Sequence, residues 1–234
     1  MGLTIGALRE LRGLRPGVRR RRHGAVCTAV AEYTGRWGWD VLPGARAVRG
    51  SGGSVRCSCG DGACPVPGAH PLDESAVVRA GATLAEAARV WQSFPRAGLM
   101  LPVGRSFDVL EVAREAGQRA LVRLERMGVP LGPVAAAPHG RTWYLVAPGA
   151  AAELPGLLYR MGWDDPALDL RALGCGDHIT APPSEHGGWG PVGWLRPPTP
   201  ESVARLPEAR LLLGTLAYEA LRLSRRARAE GVRS

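Results

Sequence analysis

The spacing of apolar positions changes along the chain, and the changes outline helices alternating with strands. Residues 3–14 place Leu3, Ala7, Leu8, Leu11 and Leu14 at helical spacing, although Gly2, Gly6 and Gly13 weaken that helix. Residues 25–36 repeat the pattern with Val26, Val30 and Tyr33. Trp39–Leu42 reads as a short strand stopped by Pro43-Gly44, and residues 44–75 read as a long loop rich in Gly, Pro, Ser and Cys. A structureless loop of that length inside a domain is unusual, so something should tie it down. Thr83-Leu-Ala-Glu86 is a capping box that predicts a helix to about Phe94. Strands are predicted near 98–103 and 107–112, then a helix over Arg114–Met127 stopped by Gly128 with Pro130 beyond. A strand at 142–146, a helix at 150–161 and strands near 167–172, 177–181 and 191–195 follow, and 207–229 reads as a long arginine-studded helix. This alternation predicts an α/β (α+β) fold, with a mixed sheet flanked by helices.

Charge changes the picture at the ends. The 234 residues carry a net charge of +9 and contain no lysine and no asparagine; all 30 basic residues are arginine. Residues 1–22 contribute +6 and residues 220–234 contribute +4, which leaves −1 for everything between. The basic character therefore belongs to the tails, which suit phosphate backbones without reading sequence. Arginine use also follows a GC-rich coding bias, so solubility with codon bias is the competing explanation. No run approaches the roughly 18 apolar residues of a membrane span, and Glu32 ends the Ala25–Ala31 run too early for a secretory segment. These features predict a cytoplasmic chain, no membrane partner and cysteines outside disulfides.

The long loop carries its own candidate anchor. Cys57, Cys59, Cys64 and His70 place three thiols and one imidazole within 14 residues. Zinc takes four such ligands in a tetrahedron, and glycine-rich turns let a short loop wrap them. The spacing C-x-C-x4-C-x5-H is not the commonest finger spacing, and a Gly/Pro loop with incidental thiols is the alternative. Cys27 and Cys175 read as structural bystanders.

The acidic residues come next. Leu99-Met-Leu-Pro-Val-Gly-Arg-Ser-Phe-Asp-Val-Leu-Glu-Val-Ala113 is a glycine-closed apolar strand followed by a second strand bearing Glu111 near its end. Carboxylates at strand ends are a common way to grip Mg²⁺, but they do so in sets. Asp108 lies three residues from Glu111, so on a strand it faces the opposite side. Asp169 sits in the apolar run Ala167-Leu-Asp-Leu170, and Trp143 follows Pro138-His-Gly-Arg-Thr142.

Taken in order, these segments resemble the bifunctional DNA primase/polymerase N-terminal (prim–pol) domain of the archaeo-eukaryotic primase superfamily, over roughly residues 24–198. Gly38-Trp-Asp-Val-Leu-Pro43 resembles the opening strand, and Cys57 through Pro71 the cysteine-rich segment. Gly98 through Val112 resembles the paired strands ending in Asp-x-Asp, and Pro138 through Val146 the Ser-Gly-Gly-x-His strand. Asp169 through Ser184 resembles the third acidic motif with its Pro-x-Ser segment. The resemblance implies template-dependent nucleotidyl transfer with Mg²⁺ or Mn²⁺, and single-stranded or primer–template DNA and nucleotide as partners. It places the catalytic acids on Glu111 and Asp169, and nucleotide contacts on His139 and Arg141. The second acid of Asp-x-Asp falls on Ala113 and the phosphate-binding histidine on Trp143. The reading is a nucleotidyltransferase scaffold with a degenerate metal site; the alternative is an inactive nucleic-acid- or nucleotide-binding protein of replication or a mobile element. The implied organisation is a basic arm over 1–23, the prim–pol-like domain over 24–198 with its zinc loop at 57–70, and a basic C-terminal helix over 199–234. No Walker A pattern occurs, so ATPase chemistry is not expected from these residues.

Overall fold

A computed structural model describes residues 26–49, 54–163 and 165–231. The helix expected over 3–14 and the basic arm lie outside the described residues. Residues 26–31 are α-helical and run into a π-helical turn, Glu32–Arg36, which buries Tyr33 and Thr34.

The strands fall into three sheets. β1 (Leu42–Gly44), β4 (Gly98–Pro102) and β9 (His178–Thr180) form one, in the order β1-β4-β9. β2 (Ala47–Arg49) and β3 (Val55–Cys57) form a hairpin within the segment expected to be loop. The central sheet joins β5 (Asp108–Ala113), β6 (Val134–Ala137), β7 (Arg141–Val146), β8 (Leu170–Leu173) and β10 (Gly193–Arg196) in the order β10-β6-β7-β5-β8. The α/β class holds. Its mixed sheet does not: every strand pairing among the described residues is antiparallel. β4 and β5, expected as a pair, are consecutive but lie in different sheets. Gly104 redirects the chain between them, with φ +99° and its N–H bonded to the Phe107 carbonyl at 2.8 Å. An added Cβ there would stand 2.4 Å from the Cys175 backbone, so the turn takes only glycine.

Alternation along β5 and β7 divides the core. Leu110, Val112, Tyr144 and Val146 face a helical layer made of α2 (Arg114–Arg126), α3 (Ala150–Arg160) and α5 (Ala209–Gly231). Val109, Trp143 and Leu145 face the other way, toward Leu99, Leu101 and Ile179 of the smaller sheet and toward α1 (Leu84–Ser93). α1 opens on the expected capping box, Thr83 with Glu86, and buries Trp91. The short helix α4 (Pro200–Ala204) leads into α5, whose Leu212, Leu213 and Leu216 are fully buried. These leucines tie α5 into the core beside α2 and α3.

Asp108 shows the value of the opposite face. Its Oδ2 accepts N–H bonds from Gly149 (3.1 Å) and Ala151 (2.9 Å), capping α3 from a neighbouring strand.

Candidate metal and nucleotide site

Strand register assembles the acidic centre. Glu111 of β5 stands opposite Trp143 of β7 on one side and Arg171 of β8 on the other. Ala113 stands opposite Arg141. Asp169 precedes β8 by one residue, two before Arg171, and so reaches the same face.

Glu111 is buried and fully engaged. Its Oε2 accepts the Trp143 indole N–H at 2.6 Å, and its Oε1 accepts Arg141 Nε at 2.9 Å and Arg171 Nε at 2.7 Å. Burial alone would raise its pKa; the bonds from Arg171 and Trp143 and the charges of Arg171 and Arg141 outweigh that and lower it below 4.5. Arg141 turns the rest of its guanidinium to Asp169, with Nη1 to Oδ2 at 2.6 Å and Nη2 to Oδ1 at 2.9 Å. This is a two-pronged fork of the kind that suits carboxylates best. The expected acids therefore do come together, with one arginine between them.

Imidazoles border this centre. The β6–β7 turn, Pro138-His139-Gly140, is tied to the start of α2 by the Arg114 N–H to the Gly140 carbonyl, 2.8 Å. The His139 ring stacks on His186 at 4.4 Å, and His186 meets the Trp143 face edge-on at 5.7 Å. His186 shares a 2.8 Å hydrogen bond with Thr180 Oγ1, and burial pushes its pKa down to about 4. Burial also lowers His139; Glu111 opposes this, and Arg141, Arg171 and Arg114 reinforce it. His139 Nδ1 and Arg114 Nε are buried without a hydrogen-bond partner. His186 and Arg171 were assigned no role from sequence. Arg171 was findable, since two residues from Asp169 on a strand means the same face; His186 lies two residues past Ser184 of the Pro-x-Ser segment, with no local signal of its own.

The cysteine loop converges. One ligand atom each from Cys57, Cys59, Cys64 and His70 lies within 4.8 Å of all the others. His70 Nδ1 lies 2.6 Å from the Pro71 carbonyl, which leaves Nε2 free to ligate; it faces Cys57 Sγ at 3.2 Å. Burial pushes the Cys57 thiol up, but N–H groups of Cys59 and Gly68, with Cys59 and His70, bring it down to about 6. A thiol so disposed toward the thiolate is a ready ligand for a metal ion such as zinc. The loop thus gathers a group that could hold a metal ion, and the β2–β3 hairpin supplies its Cys57.

A central sheet that gathers acidic residues from different strands on one face, beside a Cys/His loop, is the build of a DNA primase/polymerase-like domain. The chain belongs to the bifunctional DNA primase/polymerase N-terminal family, which matches residues 30–209. No curated protein and no solved structure matches the chain. The family brings nucleic acid and nucleotides as interaction partners and divalent metals as cofactors. Among the described residues no helix is long and apolar enough to cross a membrane.

Proposed function

We propose that this prim–pol domain binds nucleic acid and nucleotide without polymerising, its metal site having been closed. The observation that carries the reading is Arg141. Its side chain lies opposite Ala113, where the family's second acid would stand, and it is bonded to both Glu111 and Asp169. In-line nucleotidyl transfer relies on metal ions clamping the attacking and leaving oxygens. One acid is missing, the phosphate-binding histidine is a buried tryptophan, and the two remaining acids are committed to arginine. Loss of a single preorganised electrostatic group typically costs about 10²–10³ in rate, and here several are lost together. His139 and Arg141, with Arg171, are the groups assigned to phosphate contact; Cys57, Cys59, Cys64 and His70 are assigned to one structural Zn²⁺. The arginine-rich arm over 1–23 adds sequence-independent affinity, and the reduced thiols fit a cytoplasmic setting.

The test pairs two assays on the full chain. Primer synthesis and extension on single-stranded DNA, with Mg²⁺ and then Mn²⁺, should give no product. Fluorescence anisotropy with the same DNA across a salt series should give binding whose affinity falls with salt. Robust synthesis that is abolished by Glu111→Ala or Asp169→Ala would overturn the reading.

A further inference from the structure

A divalent cation needs several free carboxylate lone pairs and a centre of net negative charge; here every carboxylate oxygen already accepts a bond and the arginines outnumber the acids. Glu111 accepts three donated bonds, two on Oε1 and one on Oε2. Both oxygens of Asp169 accept the Arg141 fork. The guanidinium lies within bonding distance of both carboxylates, in the gap a bridging metal would need. A metal ion could enter only by displacing a cation already held by three hydrogen bonds. The neighbouring charges point the same way: Glu111 and Asp169 are outnumbered by Arg114, Arg141 and Arg171. Ala113, directly opposite Arg141, leaves the guanidinium room to lie across both carboxylates.

Two buried polar atoms at the rim are still without partners, Arg114 Nε and His139 Nδ1. Arg171 keeps 64% of its side chain exposed while anchored on Glu111. A positive centre with unpartnered polar atoms and a solvent-facing guanidinium has the chemistry of an anion site, and planar guanidinium forks match phosphate oxygens in particular.

We infer that Arg141 is the resident cation of this centre, that it excludes divalent metal, and that the centre takes phosphate groups directly. This rests on the phosphate-binding role proposed above but not on the absence of polymerisation. The phosphate comes either from a free nucleotide or from a nucleic-acid backbone.

Two measurements test it, both on the full chain with its cysteine loop zinc-loaded. In the first, Mn²⁺ is titrated and bound ion is read by electron paramagnetic resonance. Asp169→Asn should leave the number of bound Mn²⁺ unchanged, because the wild-type centre holds none. Arg141→Ala should gain one site, which Asp169→Asn in the same chain removes. A wild-type Mn²⁺ site lost on Asp169→Asn overturns the inference, and so does a folded Arg141→Ala protein that gains none. If Arg141→Ala fails to fold, the Asp169→Asn comparison still decides, since Asp169 is half exposed. That result is independent of the synthesis assay: metal bound without synthesis sinks this inference and the closed site, and leaves standing only binding without polymerisation.

In the second, inorganic tripolyphosphate and a thymidine 20-mer are titrated in buffer stripped of Mg²⁺ and Mn²⁺. At least one should bind, with no tightening when Mg²⁺ is added, and Arg171→Ala should weaken it about tenfold. Tripolyphosphate binding identifies the nucleotide as the source; 20-mer binding alone, sensitive to Arg171→Ala, identifies the backbone. Binding of neither, or binding that requires Mg²⁺, overturns the inference.

Discussion

Replacing Glu111 separates a closed centre from a vacant metal site, because the two have stability effects of opposite sign. In an empty metal site the carboxylates repel one another, so turning one into an amide or alanine relieves strain or changes nothing. Here Glu111 is 1% exposed and is the common acceptor for Trp143, Arg141 and Arg171. In Glu111→Ala the buried indole N–H loses its partner, worth about 1–3 kcal/mol. Arg141, whose side chain is 18% exposed, keeps Asp169 but loses its buried counter-charge. Removing one partner of a buried pair costs about 3–5 kcal/mol. Arg171 is 64% exposed and returns to water, so its share is small. Because the Asp169 fork keeps Arg141 partly paired, its share falls below that range, and the net expectation with the indole is a loss of about 3–5 kcal/mol. For a chain of this size that lowers the melting temperature by roughly 6–20 °C. Glu111→Gln keeps the shape and one acceptor oxygen and should lose about half as much. Thermal unfolding followed by circular dichroism reads both. A Glu111→Gln protein as stable as wild type, or more so, would refute the account.

The same residue sets a pH signature. The folded pKa of Glu111 lies below its ordinary value of 4.5, so the unfolded chain takes up the proton first. The stabilisation is complete above about pH 4.5 and is lost as the pH falls from there through the folded pKa. The gap in stability between wild type and Glu111→Gln should be wide at pH 7 and close below pH 4.5; a gap that instead widens on acidification would contradict the charge assignment.

Three further outcomes follow from other parts of the fold. Purified protein should contain close to one zinc per chain by metal analysis, and Cys59→Ser with Cys64→Ser should abolish it and lower the melting temperature. Gly117→Ala in α2 would place a Cβ 2.5–2.8 Å from the Thr142 side chain; overpacking of about 1–3 kcal/mol exceeds the helix-propensity gain of about 1 kcal/mol, so the denaturant midpoint falls, and Thr142→Ala, which keeps the Cβ at 2.5 Å, should recover only part of the loss. Asp108→Ala removes the cap on α3 and should cost about 1–2 kcal/mol by chemical denaturation, with the cysteine loop's metal content unaffected.

How legible the fold was depended on side-chain type. α1, α2 and α3 lie within a residue or two of where capping, periodicity and glycine stops place them, because each carries a full amphipathic stripe. β6 was missed: Val134-Ala-Ala-Ala137 has one β-branched residue, and alanine carries no strand signal. The β2–β3 hairpin was hidden by the Gly/Ser-rich residues around it. The convergence of Cys57, Cys59, Cys64 and His70 was readable from spacing because the group is local in sequence. The acidic centre was only half readable. Glu111, Asp169 and Arg141 could each be named, but their meeting depends on strand register, which places Ala113 against Arg141 and Glu111 between Trp143 and Arg171. Nothing local in sequence reports that register.

That register also makes Ala113 and Arg141 two parts of one change. Side chains directly opposite on antiparallel strands stand about 5 Å apart at Cβ, so the size and charge of one limit the other. A carboxylate at 113 beside a free position 141 leaves acids exposed to metal; alanine at 113 leaves room for an arginine to lie down across Glu111 and Asp169. It follows that Ala113→Asp alone should not rebuild a metal site. The new carboxylate would face Arg141 directly and join the same ion pair network, which raises stability or leaves it unchanged while Mn²⁺ binding stays absent. Only with Arg141→Ser in the same chain are three carboxylates left without a cation, and there Mn²⁺ binding should appear together with a loss of metal-free stability, since like charges then face one another. Mn²⁺ bound by the single Ala113→Asp protein, read by the same resonance titration, would show that Arg141 yields readily and that the alanine alone had closed the site.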